Sequence, residues 1–289
     1  MITPTTTTTA AATVRPLAVP GATLHFQTQG SGPVLLLSQS GEGDADRTVD
    51  LVPLLADAFT VVTYDRRGLS RSTLDSPTQP VTMADHADDV ARLLAEVTDE
   101  PALMAGFSMG AAIGLQAAVR HPGLLSILIA HEPVMPGLLP EAERAEHAGE
   151  LTAIQTAYAA GGLAAALPAI TAHLGIDAAH DATEENLTPQ PLTPRRQANF
   201  RFFIETEFTA LTTDPAGTAE PVRAAALAGT RIIAATGRTT RPTVHTHRCA
   251  RALAARLGTE TVEFPGGHNG NTAFPRATAQ LLKKLLLAR

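Results

Sequence analysis

The strongest chemical signal in the chain is the run Gly106-Phe107-Ser108-Met109-Gly110. It follows a short apolar run at residues 102–106 (ALMAG) and opens a helical pattern at residues 109–120. A serine between two glycines at a strand-to-helix turn has the arrangement of a nucleophile elbow, G-x-S-x-G. Such a turn forces the nucleophile into a strained backbone conformation, and side chains at the glycine positions would collide with it. The helix beginning behind Ser108 presents unpaired N–H groups and a positive dipole end, which suits a developing oxyanion. A serine nucleophile also needs a base, and ten histidines compete for that role.

The elements that must hold this serine alternate in type. Residues 23–28 (TLHFQT) have the period of a half-buried strand, and residues 33–38, 60–64, 125–130 and 230–235 are short apolar or β-branched runs. Helical patterns cover residues 83–97, 109–120, 244–257 and 272–287, with a last short strand at 261–264. Buried runs alternating with helices indicate βαβ units and a mostly parallel sheet. From residue 135 to about 226 the rhythm changes to Ala-rich helical segments without a buried strand, broken by PQPLTP at 189–194. The chain therefore divides into a flexible Thr-rich tail at 1–19, an α/β core at 20–134 and 227–289, and a helical insertion at 135–226.

Composition removes other classes. A single Cys among 289 residues excludes a disulfide framework and multi-Cys metal sites. A net charge of −6 without a block of like charge argues against nucleic-acid binding. The N-terminus lacks the basic and apolar regions of a secretory signal, and no apolar run reaches the 18–20 or so residues of a membrane span. A cytoplasmic protein acting on a small-molecule substrate is expected, with no membrane or nucleic-acid partner. A homodimer is compatible with these features.

With the elbow, the segment VVTYDRRG (61–68) and the segment FPGGH (264–268) in this order, the chain resembles the α/β-hydrolase superfamily over residues 20–289. The resemblance implies a mostly parallel eight-stranded sheet flanked by helices, with a cap inserted after the sixth strand. It places the base in the loop after the last strand, where only His268 sits. The acid usually follows the seventh strand, but no Asp or Glu occurs from Gly237 through Gly258. Some members carry it after the sixth strand, which makes Glu132 the expected orienting acid. Met109 N–H is the expected first oxyanion donor. Aligning Gln39-Ser40 on the His-Gly pair of many relatives makes Gly41 the second, with Ser40 the alternative.

The remaining polar residues have plainer expected roles. Glu42 is expected to face solvent. Phe200, Phe202, Phe203 and Phe208 offer either packing or an aromatic wall for the pocket, with Phe203 as a substrate contact. Arg238 and Arg241 are solvated or bind a substrate carboxylate. His245 and His247 resemble a metal pair, but their i,i+2 spacing points them apart and no Cys or carboxylate joins them nearby. No metal site is expected. His25, His86, His121, His147, His173 and His180 are assigned to surface or satisfied structural positions, and Cys249 to packing.

The implied activity is hydrolysis of a carboxylic ester or lactone through an acyl-enzyme, needing no metal or organic cofactor. A serine at the elbow argues against the haloalkane dehalogenases and epoxide hydrolases of this fold, which use Asp. Perhydrolysis, C–C or thioester hydrolysis and cofactor-free synthetic reactions use similar machinery. A reading of another class, a non-catalytic ligand-binding protein or receptor with a hydrolase shell, stays open because fold alone does not decide function.

Overall fold

The computed structural model describes residues 12–177, 181–213 and 228–287. Its sheet runs in the order β1 (Thr13–Val19), β2 (Ala22–Gly30), β4 (Thr60–Asp65), β3 (Val34–Ser38), β6 (Ala102–Phe107), β7 (Leu125–His131), β8 (Arg231–Gly237), β9 (Val262–Phe264). The two-residue β5 (Thr73–Leu74) pairs with β2. Every pair from β4 through β9 is parallel, and the pairs involving β2 are antiparallel. The ninth strand, relative to the eight expected, is β5, so the family's sixth strand is β7 here.

Strand alternation sorts the core into two layers. Leu36, Val62, Met104 and Leu128 face one side and pack with the helices Met83–Ala95, Met109–Arg120 and His245–Leu257. Leu35, Leu37, Val61, Ala105, Ile129 and Ile233 face the other and meet Val52–Leu55 and Pro275–Leu287. Both faces being covered explains why these strands read as continuous apolar runs. Helix Met83–Ala95 starts at a capping box, in which Thr82 accepts from Asp85 N–H while the Asp85 carboxylate accepts from Thr82 N–H.

The tail is shorter than expected. Thr13–Val19 forms β1, in register with β2 from Thr13↔Thr28 to Val19↔Ala22. Its exposed edge position leaves it without the apolar alternation that would mark a strand. Residues 1–11 of the expected tail lie outside the described residues.

Between β7 and β8 every regular element among the described residues is helical, and residues 181–193 are irregular. The segment Glu141–Leu174 has a stretch long and apolar enough to cross a membrane by length and composition, although polar residues interrupt it. It is two arms rather than one rod, because Gly161 (φ −151°) and Gly162 (φ 66°) leave the helical region. Leu151 and Ile154 of the first arm pack with Ala166 and Ile170 of the second, and with Ile204 and Phe208. Residues 203–207 form a π-helical turn between helices Pro194–Phe202 and Phe208–Thr213, a geometry that often marks a functional site.

Candidate active site

Ser108 stands at the tip of β6, with φ 54° and ψ −115°. This left-handed backbone is costly for a residue with a side chain. It is held by hydrogen bonds on both sides: Ser108 N–H donates to His131 C=O at 2.9 Å, and Ser108 C=O accepts from Ala111 N–H at 3.0 Å. The flanking glycines are required by close approach. A Cβ at Gly110 would lie 2.1 Å from Ser38 C=O, and one at Gly106 would lie 2.5 Å from Gly110 C=O. The N–H of Met109, in the first helical turn, has no carbonyl to meet within its own helix.

Glu132 follows β7 directly, one strand over from the elbow, and is also left-handed at φ 43°. Its N–H donates to Ala235 C=O at 2.9 Å, which fixes the residue between β6 and β8. Its carboxylate is fully buried. Oε1 accepts from Gly237 N–H at 2.9 Å, and Oε2 meets His268 Nδ1 at 2.7 Å. His247 Nδ1 lies 3.7 Å from Oε1. Burial favours the neutral acid, but the nearby His247 imidazole and the hydrogen-bonded His268 outweigh it and hold the carboxyl below the usual carboxylate range.

His268 comes from the Gly-rich loop after β9 and is 4 % exposed. Thr246 Oγ1 lies 3.4 Å from its Nδ1, beside Glu132. Its other nitrogen, Nε2, has no hydrogen-bond partner among the described residues. With Nδ1–H committed to the carboxylate, Nε2 is the lone-pair nitrogen, the form a general base requires.

Ser108 and His268 open onto one cavity of about 230 Å³, also lined by Ser40, Gly41, Phe200, Phe203 and Phe208. Phe203 lies over Gly41, where a Cβ would fall 2.0 Å from the ring Cζ, and meets Phe208 edge-on at 4.6 Å between centroids. Phe202 turns away onto Gly68. The lining thus joins the elbow, the loop after β3 and the helical insertion.

Two expectations are corrected. Arg238 does not line the cavity; its side chain is 63 % exposed and donates to Glu263 Oε1 at 2.7 Å. In the β8–β9 register Thr236 stands opposite Glu263, so the end of β8 already has a carboxylate at hand on the outer surface. Glu42 is buried in the cavity wall instead of facing solvent. It accepts from Arg196 at 2.8 and 3.2 Å, and Arg47 Nε lies 3.4 Å away. Both arginines line the cavity too.

Arg66 is the residue that sequence reasoning missed. It lies inside the recognised VVTYDRRG segment, but nothing in its type shows that it is buried to 1 % exposure. Its guanidinium pairs with Glu207 of the π-helical turn through two bonds of 3.0 Å. It also donates to the carbonyls of Gln39 (3.2 Å), Ser40 (2.8 Å) and Gly41. His86 Nε2 stands 3.2 Å from Glu207 Oε1. Burial would raise the Glu207 carboxyl, but Arg66 foremost, then His86, hold it at about 2. One side chain therefore ties the loop after β3 to the insertion.

The histidines are not as separate as expected. His147, His173 and His245 converge with Glu150, and the ligand-type atoms of the four lie within 4.8 Å of one another.

A model of the alpha/beta hydrolase fold matches residues 33–201. An uncharacterized hydrolase of Bacillus subtilis (strain 168), YraK, is 35 % identical over 280 residues, covering 93 % of this chain and 94 % of YraK. The 2-(acetamidomethylene)succinate hydrolase of Mesorhizobium japonicum is 32 % identical over 108 residues, 37 % of this chain and 38 % of that protein. A hydrolase from Pseudomonas aeruginosa PA01 shares the fold, with TM-score 0.66 and 24 % identity over 95 % of this chain and 98 % of that one. The chain belongs to the α/β-hydrolase fold family, and it is a hydrolase.

Proposed function

We propose that the chain is a serine hydrolase that cleaves a carboxylic ester or lactone through an acyl-enzyme. The observation that carries this reading is the 2.7 Å contact between His268 Nδ1 and Glu132, with His268 Nε2 left unpartnered at the cavity that Ser108 also lines. In the proposed reaction Ser108 Oγ attacks the carbonyl carbon while His268 Nε2 takes its proton. Glu132 holds the imidazole in the productive tautomer and stabilises the imidazolium. Collapse of the tetrahedral intermediate breaks the bond to the alkoxy oxygen, which leaves with the proton from His268. Water, deprotonated by His268, then attacks the acyl carbon and regenerates Ser108.

The oxyanion is assigned to Met109 N–H and to the loop after β3. A trans peptide points its N–H opposite its C=O. The carbonyls of Gln39 and Ser40 are drawn to Arg66, so the N–H groups of Ser40 and Gly41 are turned away from it. Both residues line the cavity, which supports either as the second donor. The cavity carries two guanidinium groups, Arg47 and Arg196, against the single carboxylate of Glu42. That excess, and the resemblance to a hydrolase named for a succinate, favour a second reading in which the substrate carries a carboxylate beside the scissile bond.

p-Nitrophenyl acetate tests the class. Rapid release of p-nitrophenol, lost by roughly 10⁴-fold or more in Ser108→Ala, is expected. Stoichiometric binding of esters without turnover would overturn the ester-hydrolase reading.

A further inference from the structure

His147 and Glu150 lie one helical turn apart on the first arm of the insertion, a spacing that puts them on one face. His173 comes from the end of the second arm, beyond the Gly161–Gly162 break. His245 is the first residue of the core helix that follows β8. Three segments distant in sequence thus bring three imidazoles and a carboxylate together. The Nδ1 atoms of His173, His245 and His147 stand 2.6, 3.0 and 4.0 Å from one oxygen, Glu150 Oε2. The rings of His147 and His173 are stacked at 5.0 Å, and those of His147 and His245 at 4.9 Å.

We infer that this cluster is a binding site for one divalent transition-metal ion of the zinc type, held by His147, His173, His245 and Glu150. Hydrogen bonding to Glu150 alone does not account for the arrangement. His147 is fully buried, yet neither of its ring nitrogens has a hydrogen-bond partner among the described residues. Burying polar atoms without partners is costly, and a cation at the convergence point would take the lone pair of its Nδ1. Three nitrogens and one carboxylate oxygen are a tetrahedral set for zinc, and imidazoles disfavour calcium and magnesium. With bonds of about 2.0 Å, tetrahedral donors stand about 3.3 Å apart. Reaching that spacing takes a retreat of Glu150 Oε2 from His173 and His245 and an approach to His147, shifts of about 0.3–0.7 Å for a carboxylate whose side chain is 39 % exposed. The second nitrogen of His245, Nε2, faces Glu146 Oε2 at 3.6 Å, the kind of carboxylate partner that orients a metal-bound imidazole.

Four protein donors complete the shell, so the ion is structural. It fastens both arms of the insertion to the core helix, and it fixes His173, which lines the active-site cavity. This assignment does not depend on which bond the enzyme cleaves. The test uses the untagged full-length chain, stripped with a chelator and titrated with Zn²⁺ by calorimetry and with Co²⁺ by visible absorption. One ion per chain is expected, with the intense absorption of tetrahedral cobalt(II) and a rise in Tm on adding Zn²⁺. His173→Gln and Glu150→Gln should each weaken binding by at least roughly tenfold and lose the Tm rise. His121→Asn, on a surface histidine paired with Asp88, should keep both. Absence of stoichiometric binding to the wild-type chain would overturn the site, as would binding that Glu150→Gln and His173→Gln, shown folded by circular dichroism, both leave unchanged.

Discussion

Ser108 and Glu132 both sit in left-handed backbone, at the tips of neighbouring strands. Side chains at such positions are tolerated where surrounding bonds over-determine them, and here Ser108 N–H is tied to β7 and Glu132 N–H to β8. The pairing gives the Glu132 carboxylate a short path to His268 without a carboxylate supplied from the segment after β8. Glu132→Gln keeps the shape and removes the charge that steadies an imidazolium. The expected outcome is a fall in kcat of about 10²–10⁴-fold with KM little changed, measured by steady-state ester hydrolysis. Activity within a few-fold of wild type would show that another group orients His268. At this scale the elbow at Ser108 was legible from its turn chemistry, and the convergence of His268 and Glu132 on it followed only from the order of segments in the family the chain resembles. Arg66 and Glu207 were not legible, since 141 residues separate them and only folding makes them a pair. The histidine cluster was hidden for the same reason: His147 and Glu150 are near in sequence, but His245 joins them only when the insertion packs on the core.

Among elements, the turn after β4 matters most after the elbow. Arg66 reaches from it to the loop after β3 and to the π-helical turn, so three segments share one guanidinium. Removing one member of a buried ion pair strands the other charge and costs about 3–5 kcal/mol. Arg66→Ala is therefore expected to lower the urea midpoint accordingly and to reduce kcat, because the Ser40–Gly41 peptides lose their anchor. A folded, fully active Arg66→Ala protein would show that the loop is held by other contacts. Strand positions were readable because each apolar run is buried on both faces of a parallel sheet. β1 escaped because it lies at an exposed edge and carries Thr, Arg and Pro in place of a buried stripe. The last helical pattern, expected at 272–287, divides into Gly270–Ala273 and Pro275–Leu287, since Pro275 cannot continue a helix begun before it.

For the molecule as a whole, the buried titratable groups set its response to acid. His131, between the rings of Phe107 and Phe264, is pushed down by burial from 6.5 to about 4. The unfolded chain therefore binds this proton first, and stability is lost as pH falls from about 6.5 toward 4. Glu207, depressed from 4.5 to about 2, contributes stability above its unfolded value and loses it as pH drops through that lower window. His131→Leu is expected to flatten the decline of Tm between pH 6.5 and 4, checked by thermal scans across that range. An unchanged decline would place the acid sensitivity elsewhere.

The most direct test of the catalytic assignment is intact-protein and peptide mass spectrometry after brief exposure to p-nitrophenyl acetate. One acetyl group per chain, located on Ser108 and absent from Ser108→Ala, is the expected result. Turnover that persists in Ser108→Ala, with no acetyl group on the peptide containing residue 108, would contradict it.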